Sequence, residues 1–122
     1  MEAQRDFLPL FKNSADAKQV PSGTVLFAQG DAADVLYVVI EGQIEIRIDD
    51  VAAETVGPGG KVGELALIDH GPRSGSAVTV SDARVVPVDE KRFLYLVRNT
   101  PFFALNVMHV MANRLRRQNA RK

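Results

Sequence analysis

The sequence predicts a mainly β domain with flanking helices: an antiparallel β-barrel preceded by a helix, interrupted by one very short helix and followed by two more. Three observations carry that expectation. Residues 20 to 88 break into short apolar or alternating runs punctuated by Gly, Pro, Asp and Ser, which is the spacing of a barrel or sandwich. Within them, Val35 to Ile40 is continuously apolar, as in a strand buried on both faces, whereas Ile44, Ile46 and Ile48 alternate with Glu45, Arg47 and Asp49 at period two. After Val88 the pattern turns helical: Asp89 is a candidate N-cap, a short helix ends near Asn99-Thr100, and Pro101 opens a longer one.

The elements follow in order. Phe7, Leu8, Leu10 and Phe11 give residues 2 to 13 one apolar side, so a short amphipathic helix is expected there, limited by Pro9. Pro21 to Gly23 form a turn, Val25 to Ala28 a brief strand, and Gly30-Asp31 a second turn. Glu41-Gly42 then reads as the tip of a hairpin joining the Val35 and Ile44 strands. Asp49-Asp50 makes another turn before a weaker strand, Val51 to Val56. "GPGGKVGE" reads as a glycine-rich loop, with neither a Walker lysine nor a dinucleotide fingerprint. Val78 to Val80 and Val85 to Val88 continue the β pattern across Ser81-Asp82. The last helix is apolar almost all round in its first half, which calls for cover on more than one side.

Composition narrows the function. A chain of 122 residues suits one domain. Fifteen basic residues balance fifteen acidic ones, so no global field draws it to nucleic acid or an anionic membrane. The absence of cysteine excludes thiolate metal sites and thiol nucleophiles. His70 and His109 lie far apart, so no metal site is expected, and no serine sits in a nucleophile elbow. No apolar run reaches the roughly 20 residues of a membrane helix. A cytoplasmic, non-enzymatic protein without metal or cofactor is the expectation.

The chemistry concentrates in "GELALIDHGPRSGSAV", Gly63 to Val78. "ELALI" can form little more than one helical turn, so most of its amides lack an internal acceptor. Gly63 permits close approach of a ligand to that backbone, and the helix start favours an anion. Arg73 adds a fork of donors suited to phosphate, and Ser74 a hydroxyl. Glu64 would repel a phosphate but could accept a hydrogen bond from a sugar hydroxyl, the device of dinucleotide folds. The residue types alone are equally compatible with Glu64 complementing the helix dipole and Arg73 pairing with it or facing solvent.

"VGELALIDHGPRSGSAV" resembles the phosphate-binding cassette of the cyclic nucleotide-binding domain family. "VPSGTVLFAQGD", "LYVVIEGQIEI" and "GPGGKVGE" resemble that family's early strand, central strands and approach to the cassette. The resemblance implies a jelly-roll-like double-stranded β-helix as a single domain over 1–122: a helical cap at 1–19, a barrel at 20–88 with the cassette at 63–76, and hinge and lid helices at 89–122. It implies that Gly63 and Leu65 face ribose and phosphate through their backbone, with Glu64 on the 2′-hydroxyl. Arg73, Ser74 and the Gly75 amide would hold the phosphate of cAMP or cGMP. Gly75 stands where alanine is usual, which is expected to loosen the cradle, and Val62 where phenylalanine is common. "NRLRRQ" resembles the segment that covers the base, making Arg114 the first lid candidate and Arg117 the second.

The expected output is closure of the C-terminal helix and a signal to a protein partner. The sequence ends at Lys122 without a helix-turn-helix, so no DNA-binding element is expected in it; it reads as a stand-alone module or the sensor of a larger regulator. The alternative function is a module that no longer binds nucleotide and associates through Phe102, Phe103, Val107 and Met111, forming a weak homodimer through the C-terminal helices.

Overall fold

A computed structural model describes residues 11–120, and side chains through Arg116. The chain divides between Glu90 and Lys91 into two compact units. The first contains the strands β1 (Lys18–Val20), β2 (Val25–Phe27), β3 (Val35–Glu41), β4 (Ile44–Ile48), β5 (Val51–Val56), β6 (Lys61–Val62), β7 (Ser76–Thr79) and β8 (Ala83–Asp89), with a helix α1 (Glu64–Asp69) between β6 and β7. They form two antiparallel four-stranded sheets, in the orders β1-β8-β3-β6 and β2-β7-β4-β5. This is the expected jelly-roll class, built as two sheets rather than one closed barrel.

Each strand's pattern fits its place. β3 lies between β8 and β6, and Leu36, Val38, Val39 and Ile40 are buried. β4 buries Ile44 fully, but its inward row fades along the strand until Ile48 is exposed. β8 carries Pro87 opposite Tyr37, past the last β1 partner at Val85, so the proline lies where the strand has one neighbour instead of two. Val39, Ile44, Val56, Val62, Ala77, Ala83 and Val85, contributed by both sheets, form the core. Phe11 is fully buried; Phe7, Leu8 and Leu10 of the expected first helix lie outside the described residues.

The hairpin expected at Glu41-Gly42 is not formed. β3 pairs with β6 and β8, and β4 with β5 and β7, so the chain changes sheets at this turn. The cause lies in the neighbouring corner. Gln43 N donates to Ser81 Oγ at 3.0 Å, and Val80 N to the Gln43 carbonyl at 3.0 Å. Gly42 has φ 90°, and a Cβ there would lie 2.4 Å from the Asp82 carbonyl oxygen. The glycine therefore lets two sheet-changing corners stack on each other. A genuine two-residue hairpin appears one turn later: Asp49 and Asp50 both have positive φ, 54° and 65°, as a turn matched to strand twist requires. The loop expected at residues 57–64 contains the short strand β6, paired with β3 and preceded by a bond from Val39 N to the Gly60 carbonyl at 2.9 Å, and its last residue, Glu64, opens α1.

The second unit continues from the helix α2 (Glu90–Asn99) into α3 (Pro101–Ala120), with the break at Thr100 where the sequence placed it. Phe93 and Phe103 meet edge to face, 5.6 Å between centroids. On α3, Phe103, Asn106 and Val107 are buried, whereas Phe102, Leu105, Met108 and Leu115 are exposed. Cover on several sides of α3, as its composition demanded, is thus not provided by the described residues of one chain.

Candidate functional site

The site grows from the connection between the two sheets. β6, in one sheet, delivers Gly63, and β7, in the other, starts at Ser76. α1 fills the gap. Its N-cap is Gly63, with φ 87° and no side-chain capping bond. This backbone shape is costly for any residue with a Cβ, and space forbids one as well: a Cβ would lie 2.4 Å from Arg73 Nη1 and 3.2 Å from Phe27 Cε2. Glu64, the first helical residue, is only 1% exposed, with its carboxyl group at the end of the helix that favours an anion. Leu65 turns its side chain outward, 37% exposed, leaving its backbone as the part that can serve a ligand.

Arg73 neither faces solvent nor stands as an isolated charge. It is 5% exposed. Its Nη1 donates to the Gly63 carbonyl at 3.2 Å and its Nη2 to the Val35 carbonyl at 2.6 Å. The guanidinium carbon lies 4.0 Å from the centre of the Phe27 ring, within cation–π range. Its Nε is buried without a hydrogen-bond partner. Burial pulls the arginine below its ordinary pKa, while Tyr37, Asp34 and Asp31 oppose that shift. An arginine guanidinium stays charged at any physiological pH.

The turn before β3 locks this arginine's backbone. Gly30 N donates to the Arg73 carbonyl and Arg73 N to the Asp31 carbonyl, both at 2.8 Å. Gln29 N donates to Ser76 Oγ at 2.8 Å, so the same turn grips the cassette at two points. Gln29 also exchanges hydrogen bonds with Asp49, Nε2 to Oδ1 at 3.1 Å and Asp49 N to Oε1 at 2.8 Å, tying in the tip of the β4–β5 hairpin. The sequence marked Gly30-Asp31 as a turn but gave no sign that it holds Arg73. Phe27 and the Val35 carbonyl were likewise unassigned, because their relation to Arg73 exists only after both sheets have formed.

Ser74 is exposed. Gly75 overturns one expectation. It is buried, and a Cβ there would lie 2.8 Å from the Arg47 carbonyl oxygen and 3.2 Å from Ile48 Cγ1. β4 thus requires glycine at this position, and Gly75 is a tight contact instead of a loose joint. Gly75→Ala is accordingly expected to destabilise the fold by about 1–3 kcal/mol, the usual cost of overpacking, read as a lower urea midpoint. A gain in stability would contradict that reading.

Of the lid candidates, Arg114 lies on α3 in the second unit and is half-buried. Arg117 also falls in α3, but its side chain lies outside the described ones. Among the described residues no group of three or more His, Asp or Glu is placed to hold a metal ion. Among them, too, no helix is long and apolar enough to cross a membrane.

Two antiparallel sheets with a short helix inserted between β6 and β7, and a buried arginine bonded to the Gly63 carbonyl at that helix's start, characterise the first unit. The family model described as "Cyclic nucleotide-binding domain" matches residues 17–100. The chain belongs to the cyclic nucleotide-binding domain family. It is 35% identical over 104 residues to a CRP-like cAMP-activated global transcriptional regulator of Mycobacterium tuberculosis, covering 81% of this chain and 46% of the regulator. It is 34% identical over 97 residues to a cAMP-dependent protein kinase regulatory subunit of Eremothecium gossypii, covering 80% of this chain and 21% of the subunit. The crystal structure of Thermus thermophilus catabolite activator protein superposes with a TM-score of 0.79 at 31% identity, over 98% of this chain and 56% of that one. The chain spans at most about half the length of these curated relatives.

Proposed function

We propose that this domain binds a cyclic nucleotide, cAMP or cGMP, as a non-enzymatic sensor, and that α3 closes over the base to signal to a protein partner. The observation that carries the reading is Arg73: a buried guanidinium gripped by two backbone carbonyls and a ring, with its Nε still without an acceptor. A phosphate oxygen would supply a charged acceptor to a cation whose present holders are all neutral. Ser74 and the Gly75 amide would complete the phosphate cradle, with the Gly63 and Leu65 backbone along the ribose phosphate. Glu64 would accept a hydrogen bond from the ribose 2′-hydroxyl. Arg114 is the first candidate to cover the base and Arg117 the second. The two relatives above are cAMP-activated or cAMP-dependent by name, which supports cAMP as the ligand to try first.

A melting screen against cAMP and cGMP tests this. A nucleotide present at 100 times its dissociation constant stabilises the folded state by about 2.7 kcal/mol, a shift of several degrees for a domain of this size. Neither nucleotide moving the midpoint at millimolar concentration would refute the proposal.

A second reading, association through the C-terminal helices, is favoured by the exposed residues of α3. Of the face read from the sequence, Phe103 and Val107 are buried and unavailable, while Phe102 is 72% exposed and continues into Leu105 and Met108. A weak homodimer would use those exposed residues, and it is compatible with nucleotide binding.

A further inference from the structure

Phe27 is placed where a ring serves the arginine better than a carboxylate would. It ends β2, in one sheet, and stacks on Tyr37 of β3, in the other, with centroids 6.3 Å apart and planes 17° from parallel. Both rings pack against the core, so the pair is fixed from behind. The Phe27 ring carries the Arg73 guanidinium at 4.0 Å, and its edge lies where a Cβ at position 63 would come within 3.2 Å. The remaining grips on the guanidinium are carbonyl oxygens. A buried cation is usually stabilised by an acidic partner, which would neutralise it and then compete with an incoming phosphate. A ring face and two carbonyl oxygens make the direct contacts that hold the cation, while Asp31 and Asp34 act on it electrostatically.

We infer that Phe27 is a positioning residue for anion binding, its π face preorganising the Arg73 side chain in the free protein so that a phosphate meets a guanidinium already aimed. This rests on the proposed nucleotide reading. The benefit lies in the free state: if the ring's hold weakens, the guanidinium samples other rotamers, and apparent affinity falls by the fraction that remains aimed. Phosphate contacts made after binding are unchanged. The loss should therefore appear in the association rate, with the dissociation rate preserved.

The test is a series at position 27 in which phenylalanine is replaced by its 4-fluoro, 3,5-difluoro and pentafluoro analogues. Shape is nearly kept while the negative face of the ring is progressively drained. Stopped-flow binding of the cyclic nucleotide selected by the melting screen reads both rate constants, and nucleotide-free melting reads the fold. The expected result is a graded fall in association rate, reaching between about three- and tenfold for the pentafluoro ring, with dissociation within twofold of wild type. Phe27→Tyr, which keeps the face, should bind within twofold of wild type. A purely packing role would lower the melting midpoint and leave the mono- and difluoro rates alike; a flat series across the variants that fold overturns the inference. If the wild-type chain binds no cyclic nucleotide, the functional proposal itself fails and this inference with it; a flat series on a wild type that binds defeats this inference alone.

Discussion

Arg73→Ala is expected to weaken cyclic nucleotide binding about 100-fold. A hydrogen bond to a charged group contributes about 1.5–3 kcal/mol, and 1.4 kcal/mol is one decade of affinity. The upper part of that range applies here because the guanidinium is 5% exposed, where water screens little. Arg73→Lys should recover only part of the loss. An ammonium keeps the charge but cannot reach the Gly63 carbonyl, the Val35 carbonyl and a phosphate oxygen with one planar fork. Fold stability should move less than affinity in Arg73→Ala. The substitution leaves two carbonyls without their donor, yet it also removes a buried charge and its desolvation cost, and these effects oppose each other. Calorimetric titration beside urea unfolding separates the two quantities. Equal affinity in wild type and Arg73→Ala would dismiss the arginine as the phosphate anchor.

The second large effect is expected at Gly63. An alanine held at φ 87° costs about 1–2 kcal/mol against glycine. That strain alone should lower the unfolding free energy by a similar amount. The functional damage is greater, because the new Cβ would occupy space 2.4 Å from Arg73 Nη1. Nη1 is the end of a flexible side chain and moves aside, which relieves the clash but takes the guanidinium off the Gly63 carbonyl and the Phe27 ring. Gly63→Ala is therefore expected to remain folded and to lose more than tenfold in affinity, since 1.4 kcal/mol of lost preorganisation is already tenfold. Nucleotide titration of the folded variant reads this directly. A variant that lost stability but kept wild-type affinity would show that the cradle tolerates a displaced arginine.

How far the sequence carried depended on whether the deciding contact was local. The β3 and β4 runs, the Asp49-Asp50 turn and the Asn99 to Pro101 helix break rest on residues adjacent in the chain, and each stands where periodicity and turn chemistry put it. The hairpin at Glu41-Gly42 failed for a non-local reason. A glycine turn between two β runs is the ordinary hairpin signal, but the packing of Gly42 on the Asp82 and Ala83 corner, which sends the chain into the other sheet, is invisible until both corners exist. The same holds at the site. Gly63, Glu64, Arg73 and Ser74 could be singled out because they share one short run with a coherent chemistry. The burial of Glu64 and Arg73, the Phe27 ring and the Gly30-Asp31 grip could not, since those come from the other strands. Gly75 shows the limit most clearly: its residue type suggested freedom, and its surroundings on β4 leave no room for a side chain.

The most direct test of the central claim is calorimetric titration of the wild-type chain with cAMP and cGMP, with linear 5′-AMP as control. The account predicts saturable binding of at least one cyclic nucleotide, one site per chain, with a Kd of about 10 μM, the value allowed by about 0.3 kcal/mol per ligand atom over about 22 atoms. Binding of 5′-AMP should be clearly weaker, because its free, doubly charged phosphate meets a cradle whose cation is the single buried guanidinium of Arg73. No saturable heat with either cyclic nucleotide up to millimolar concentration, from a chain that unfolds cooperatively, would contradict it.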